Sequence, residues 1–70
     1  MKEVKSIITG VVLAIQIHEG EQVSVGQEVV IVESMKMAIP IESSISGTVS
    51  EIKVRVGQFV SEDDVLLTII

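Results

Sequence analysis

The 70-residue chain has no cysteine, no tryptophan and no tyrosine, and its only aromatic residue is Phe59. Without cysteine, neither disulfide bonds nor a thiolate metal site can stabilise the fold. With a single aromatic side chain, the protein lacks the platforms on which successive nucleic-acid bases stack. Its formal net charge of −5 also repels phosphate backbones. These absences exclude nucleic acid as a partner.

Long apolar runs are missing as well. No segment approaches the roughly 20 apolar residues that a membrane-spanning helix needs. Residues 1–5 lead into alternating, strand-like sequence and lack the apolar block and cleavage site of a signal peptide. We therefore expect a cytoplasmic protein that does not bind membranes.

Residues that commonly carry catalysis or bind metals are scarce. His18 is the only histidine, and it stands beside a predicted turn, where a lone histidine is usually a solvated surface residue. The acidic run 62–64 lacks the alternating ligands of a calcium-binding loop and is typical of a solvated turn whose carboxylates shape the backbone. We expect no catalytic residue, no metal site and no enzymatic activity of the chain alone.

Aliphatic residues are plentiful, since 47% of the chain is hydrophobic, mostly valine and isoleucine. Each large aliphatic side chain contributes roughly 1.5–3 kcal/mol when it is buried. This supply matters because a domain of about this length only just offsets its chain entropy. We predict a single domain over residues 1–70.

An internal repeat is the strongest architectural signal. A shift of 37 positions aligns residues 9–33 with residues 46–70 and gives six identities at glycines, at a serine and at aliphatic positions. The identical pairs are Gly10 and Gly47, Val12 and Val49, Ile15 and Ile52, Gly20 and Gly57, Val23 and Val60, and Ser24 and Ser61. Such a pattern is typical of a duplicated structural unit.

Each copy is predicted to consist of short β-strands, because β-branched residues are dense and turn residues recur every few positions. The predicted strands are 12–17, 23–25, 28–32, 48–54, 59–60 and 65–70. Gly20 and Gly57 are expected to supply positive φ in matching turns. Gly10 and Gly47 lie within or beside strands, where glycine marks a bulge, a bend or a close backbone approach.

The two copies are expected to interlock into a small closed or flattened barrel, because neither can bury its apolar face alone. Closure would also remove exposed strand edges that promote aggregation. Under the 37-residue shift, Lys36 maps just beyond the two chain ends. The repeat therefore predicts that Lys36 lies on a hairpin tip, far from both termini.

Lys36 itself stands between Met35 and Met37, and the predicted hairpin spans residues 34–39. In an extended strand the two methionines would face one way and the lysine the other. Methionines often fill gaps in cores, and lone lysines are usually plain surface residues. Exposed apolar groups around a lone amine would instead favour recognition by a second protein.

The segment from Glu33 to Met37, followed by residues 38–41, resembles the attachment motif of the biotinyl/lipoyl carrier family. Segments 46–49, 57–60 and 64–67 are similar to the family's second half, so the resemblance covers roughly residues 7–70. It implies an all-β fold, a flattened barrel or sandwich of two four-stranded sheets with a quasi-two-fold internal repeat (a barrel-sandwich hybrid). Met-Lys-Met is typical of biotin domains, whereas lipoyl domains usually carry Asp-Lys-Ala.

The resemblance implies that biotin is attached covalently to Lys36 and carries CO₂ between a biotin carboxylase and a carboxyltransferase. A biotin protein ligase would recognise Met35 and Met37, with Glu33 and Ser34 as weaker contacts. The chain would be a non-catalytic carrier and a monomer. Two alternatives stay open: a lipoyl carrier with lipoate on the same lysine, and an unmodified interaction module.

Two departures from the family pattern stand out. Ser34 occupies a position where biotin domains commonly have alanine, and residues 7–9 replace a common Pro-Met-Pro stretch. The missing prolines affect partner contacts or strand stiffness more than the modification itself. The length is similar to that of small bacterial biotin/lipoyl attachment proteins, and Met1 favours a free-standing protein over an excised carboxylase domain.

Overall fold

The computed structural model describes residues 2–70, and within that range the chain forms β-strands and no helix. The strands are β1 (Lys2–Lys5), β2 (Gly10–Ile15), β3 (Gln22–Val23), β4 (Glu28–Ser34), β5 (Met37–Glu42), β6 (Gly47–Ile52), β7 (Phe59–Val60) and β8 (Val65–Ile69). None of residues 2–70 belongs to a helix that could cross a membrane.

The strands form two four-stranded antiparallel sheets with the orders β1-β8-β6-β3 and β5-β4-β2-β7. A shift of 37 residues converts β1–β4 into β5–β8 and therefore converts one sheet into the other. Each sheet takes two strands from each half of the chain, so the halves interlock. The predicted all-β fold of two four-stranded sheets with an internal repeat is confirmed.

The structural equivalence continues outside residues 9–33 and 46–70. Ser6 donates its hydroxyl to the carbonyl oxygen of Ile8 at 2.6 Å, and Ser43 does the same to Ile45 at 2.5 Å. The pairing of β1 with β8 also repeats the register of β5 with β4, including the irregularity in each pair. The paired chain ends are therefore the structural counterpart of the β4–β5 hairpin.

The core lies between the two sheets and consists almost entirely of aliphatic side chains. Its fully buried members come from both halves of the chain, with 0% exposure at Val29, Val30, Val32, Leu66 and Leu67. Burial of such side chains contributes roughly 1.5–3 kcal/mol each, which explains how a chain without disulfides holds this fold.

The structure has β1 and β5 in addition to the six predicted strands, and the predicted strands differ from the observed ones mainly at their ends. β7 has the predicted bounds, whereas β2 begins and ends two residues earlier than predicted. Residues 24–25 form part of a turn rather than a strand, because Ser24 donates its amide to the side-chain oxygen of Gln27 at 3.1 Å. The positive φ expected at Gly20 and Gly57 is confirmed, at 90° and 93°.

Candidate attachment site

Lys36 occupies a two-residue turn that joins β4 to β5. Ser34 and Met37 are the last paired residues, so only Met35 and Lys36 reverse the chain. Their φ values are 53° and 66°, both in the left-handed region. This is the pattern of a type I′ turn, whose twist matches that of the strands it joins. The predicted hairpin tip at Lys36 is present in the structure.

Because the turn falls at Met35 and Lys36, the side-chain alternation of an extended strand does not apply around Lys36. Strand alternation ends at Ser34, since Met35 and Lys36 are turn residues and Met37 opens the next strand. The physical reason is that two antiparallel strands paired up to Ser34 and Met37 leave no room for further extended residues. The methionines therefore flank the lysine on either side of the turn and do not share a strand face.

The turn is conformationally costly because neither of its residues is glycine or asparagine. Left-handed backbone costs a non-glycine residue about 1–2 kcal/mol. The pairing of β4 with β5, which runs from Glu28 and Glu42 up to the turn, holds Met35 and Lys36 in place. Strained positions of this kind cluster at functional sites.

All three residues of the Met-Lys-Met motif are exposed. Met35 is 92% exposed and Met37 is 61% exposed, so neither methionine fills the core. Lys36 is exposed as well, and within residues 2–70 its ammonium makes no ion pair. The structure thus presents one primary amine between two accessible thioether side chains.

The other two predicted recognition residues lie at the base of the turn. Ser34 is half-buried, and Glu33 is exposed in the strand just before it. Glu33 pairs with Ala38 on one side and with Val11 on the other. The structure therefore brings Glu33, Ser34, Met35 and Met37 together around Lys36.

Gly10 supports this site from β2, and its role is the close backbone approach that its position suggested. A Cβ atom built on Gly10 would overlap the carbonyl oxygen of Glu33. Gly47 has the equivalent contact, since its Cβ would lie 2.6 Å from the carbonyl oxygen of Ile70. Glycine at position 10 therefore allows β2 to pass directly against the base of the hairpin.

The acidic run and the lone histidine have structural surroundings. Asp64 accepts a hydrogen bond from the amide of Ser61 at 2.8 Å, and Asp63 adopts positive φ at 75°. The Asp64 carboxylate therefore shapes the turn, as predicted for this acidic run. The side chain of His18 is 88% exposed and lies 3.7 Å from Glu21. Within residues 2–70 no three histidine or carboxylate side chains cluster as a metal site.

The hairpin can serve chemically as an acylation site. A primary amine at the apex of a two-residue turn can enter the cleft of a second protein without disturbing the sheets. Acylation of the amine would leave the new group at the end of the four-carbon lysine side chain, free to sweep through solvent.

Comparison with known proteins agrees with this geometry. Residues 2–69 match the family described as biotin-requiring enzyme. The chain is 53% identical over 53 residues to the biotin/lipoyl attachment protein of Bacillus subtilis (strain 168), which covers 76% of this chain and 73% of the relative. It is 35% identical over 68 residues to the biotinylated protein TB7.3 homolog of Mycobacterium leprae (strain TN), which covers 97% and 96%.

A further relative and a solved structure come from larger proteins. The biotin carboxyl carrier protein of Streptococcus mutans is 42% identical over 60 residues, or 86% of this chain and 46% of the relative. The crystal structure of the Kluyveromyces lactis urea carboxylase superposes with a TM-score of 0.92 at 28% identity over 99% of this chain. The chain spans only 6% of that carboxylase. Because the family match extends over nearly all of its residues, the chain belongs to the biotin/lipoyl family of biotin-requiring enzymes.

Proposed function

We propose that this protein is a biotin carrier in which Lys36 is the attachment residue. The observation that carries the proposal is the position of Lys36 at the apex of a strained two-residue turn, between two exposed methionines. Family membership supports it, as does the likeness to a biotin carboxyl carrier protein. The Met-Lys-Met sequence favours biotin over lipoate.

Attachment would be an acyl transfer catalysed by a biotin protein ligase. The Lys36 amine, after losing a proton, attacks the activated carboxyl carbon of biotin; a C–N bond forms and the activating group leaves with its bonding electrons. The resulting amide is uncharged, so the formal net charge of −5 becomes −6. Met35 and Met37 would bind the ligase through their exposed thioether side chains, with Glu33 and Ser34 at the edge of the contact.

The carrier role follows from the tether. Biotin supplies the chemistry of carrying CO₂, and this chain supplies the placement of its attachment point. A covalent tether raises the effective concentration of the attached group at every site the arm can reach. We propose that a biotin carboxylase and a carboxyltransferase are the two partners that the arm visits. The chain itself would turn over no substrate.

Expression with defined ligases tests the proposal. The chain is produced with a biotin protein ligase or with a lipoate ligase, and its intact mass is measured. We expect the mass of one biotinyl group with the first enzyme and an unchanged mass with the second. The reverse result would make the chain a lipoyl carrier, and no change with either would favour an unmodified interaction module.

Two matched lysine variants give the control for that experiment. Lys36→Arg should abolish the mass gain, while Lys53→Arg, which replaces an exposed lysine directly after β6, should keep it. Lys53 lies 3.1 Å from Glu51 and far along the chain from the hairpin. A biotinyl mass gain that persists in Lys36→Arg would show that the attachment residue is another amine.

We further propose that the carrier acts in the cytoplasm as a monomer. The test is streptavidin capture from the host, followed by identification of the subunits that co-purify. Recovery of carboxylase subunits in the soluble cytoplasmic fraction is the expected result. Recovery of the biotinylated chain in another compartment would contradict the localisation.

A further inference from the structure

The two outer sheet faces are equivalent by the repeat, and they differ in polarity. The outer face of the sheet that carries the Lys36 hairpin is here called the hairpin-sheet face. It consists of two rows of residues: Phe59, Val11, Glu33 and Ala38 in one row, and Ala14, Ile31 and Pro40 in the next. These residues point away from the core because they alternate with inward-facing neighbours such as Val12 and Val32, which are buried.

The equivalent residues of the other sheet are here called the opposite-sheet face. They are Gln22, Thr48 and Ile70 in one row, and Glu51, Glu3 and Thr68 in the next, where Thr68 is buried between its neighbours. Glu33 is the one polar residue among those that form the hairpin-sheet face. Its counterpart Ile70 is the one apolar residue among those that form the opposite-sheet face. The polarity of the two faces is thus inverted at every compared position.

The folding of the domain does not explain this inversion. Phe59 is 64% exposed, while its counterpart Gln22 occupies the same place in the same architecture with a polar side chain. Ala38 and Pro40 are exposed too, and Val11 and Ile31 are half-buried. A contiguous apolar patch of a few hundred Å² on a single domain is often functional.

We propose that the hairpin-sheet face is the docking surface for the ligase that modifies Lys36, which rests on the proposed function. The face adjoins the turn directly, since the pair Glu33 and Ala38 is followed by the pair Ser34 and Met37 at the base of the turn. A ligase must bring its reaction centre to bonding distance of the Lys36 amine. It therefore contacts the protein surface next to the turn, whereas enzymes that receive the finished arm act a full arm's length away.

The size of the face argues against a second copy of the chain as its occupant. Strands lie about 4.8 Å apart and rise about 3.3 Å per residue, so four strands of about five residues cover on the order of 300 Å². A stable interface buries about 800 Å² on each partner. The face is suited to a transient encounter, as expected for an enzyme that modifies the chain once and leaves.

The charge of the face specifies the partner further. Glu33 is exposed within otherwise apolar surroundings, and the whole chain carries −5. A complementary ligase surface would be apolar with at least one cationic side chain opposite Glu33. Such complementarity mainly raises the association rate and weakens with salt.

Exchange of residues between the two faces provides the test. The double variant Phe59→Gln with Val11→Thr gives the hairpin-sheet face the residues of its counterpart positions. The matched control, Gln22→Phe with Thr48→Val, makes the reverse exchange on the opposite-sheet face. Both leave Glu33 and residues 34–37 intact, and denaturant unfolding of each confirms that it is folded. Initial rates of biotin transfer by a purified biotin protein ligase are then measured against carrier concentration.

We expect kcat/KM to fall by about tenfold in the first variant, chiefly through a higher KM, because binding rather than chemistry is lost. The control should keep the wild-type rate. Equal kcat/KM in wild type and the first variant would overturn the docking proposal, as would an equal loss in both variants or a dimer in sedimentation that buries the face. Failure of the proposed function is distinguishable, because the wild-type chain would then accept no biotin at all.

Discussion

At the scale of single residues, Met35 combines an unfavourable backbone with an exposed side chain. Its φ of 53° suits asparagine, which tolerates the left-handed region, better than methionine. We therefore expect Met35→Asn to raise the free energy of unfolding by about 1 kcal/mol. The same variant should slow biotin transfer, because the ligase loses a thioether contact. Denaturant unfolding and ligation rates measure the two effects.

Met37→Asn is the matched control at this scale. Met37 is equally a motif methionine, but it lies in β5, where asparagine is disfavoured. It should slow transfer without any gain in stability. If Met35→Asn destabilised the domain as much as Met37→Asn, the strained turn would not be a feature of the molecule in solution.

At the scale of elements, the contact of β2 with the end of β4 sets the position of the hairpin. Gly10→Ala would press a methyl group against the carbonyl of Glu33, and Gly47→Ala would press one against Ile70 at the other end of the repeat. Both should destabilise the domain by about 1–3 kcal/mol. Only Gly10→Ala displaces the base of the turn. Only this variant should therefore lower the ligation rate, when the rate is measured at a temperature well below the unfolding midpoints of both variants. Equal ligation rates in the two folded variants would contradict this role of β2.

At the scale of the whole molecule, the interlocked sheets make the two halves one cooperative unit. Leu66 is fully buried in the second half, and its counterpart Val29 is fully buried in the first. Leu66→Ala should lower the free energy of unfolding by about 2–5 kcal/mol. Because each sheet uses strands from both halves, the loss should appear as a single transition by circular dichroism and by calorimetry. Two separate transitions would show that the halves fold independently.

The sequence predicted most of this architecture because turn glycines and β-branched runs act locally. Matching turns at Gly20 and Gly57 and the strand at Phe59 and Val60 followed directly from residue type. The left-handed turn at Lys36 did not, because neither of its residues carries the usual asparagine or glycine signal. β1 and β5 were missed because each contains only one buried residue, Val4 and Ile41 respectively, and each depends on pairing with a neighbouring strand.

The polarity difference between the two sheet faces also needed the structure. Rows of residues across a sheet depend on register, which brings together Phe59, Val11 and Glu33 from distant parts of the chain. The repeat alone aligned these positions with Gln22, Thr48 and Ile70, but it could not show which of them face solvent side by side. Register therefore adds the lateral neighbours that a linear pattern lacks.

The most direct measurement is peptide mapping by tandem mass spectrometry after incubation of the wild-type chain with biotin, ATP and a biotin protein ligase. We expect one biotinyl group, located on the ε-amine of Lys36 and absent from Lys2, Lys5 and Lys53. The Lys36→Arg chain, shown by circular dichroism to be folded, should carry no biotinyl group. A wild-type chain that stays unmodified, or that carries biotin on another lysine, would contradict the assignment of Lys36 as the attachment residue.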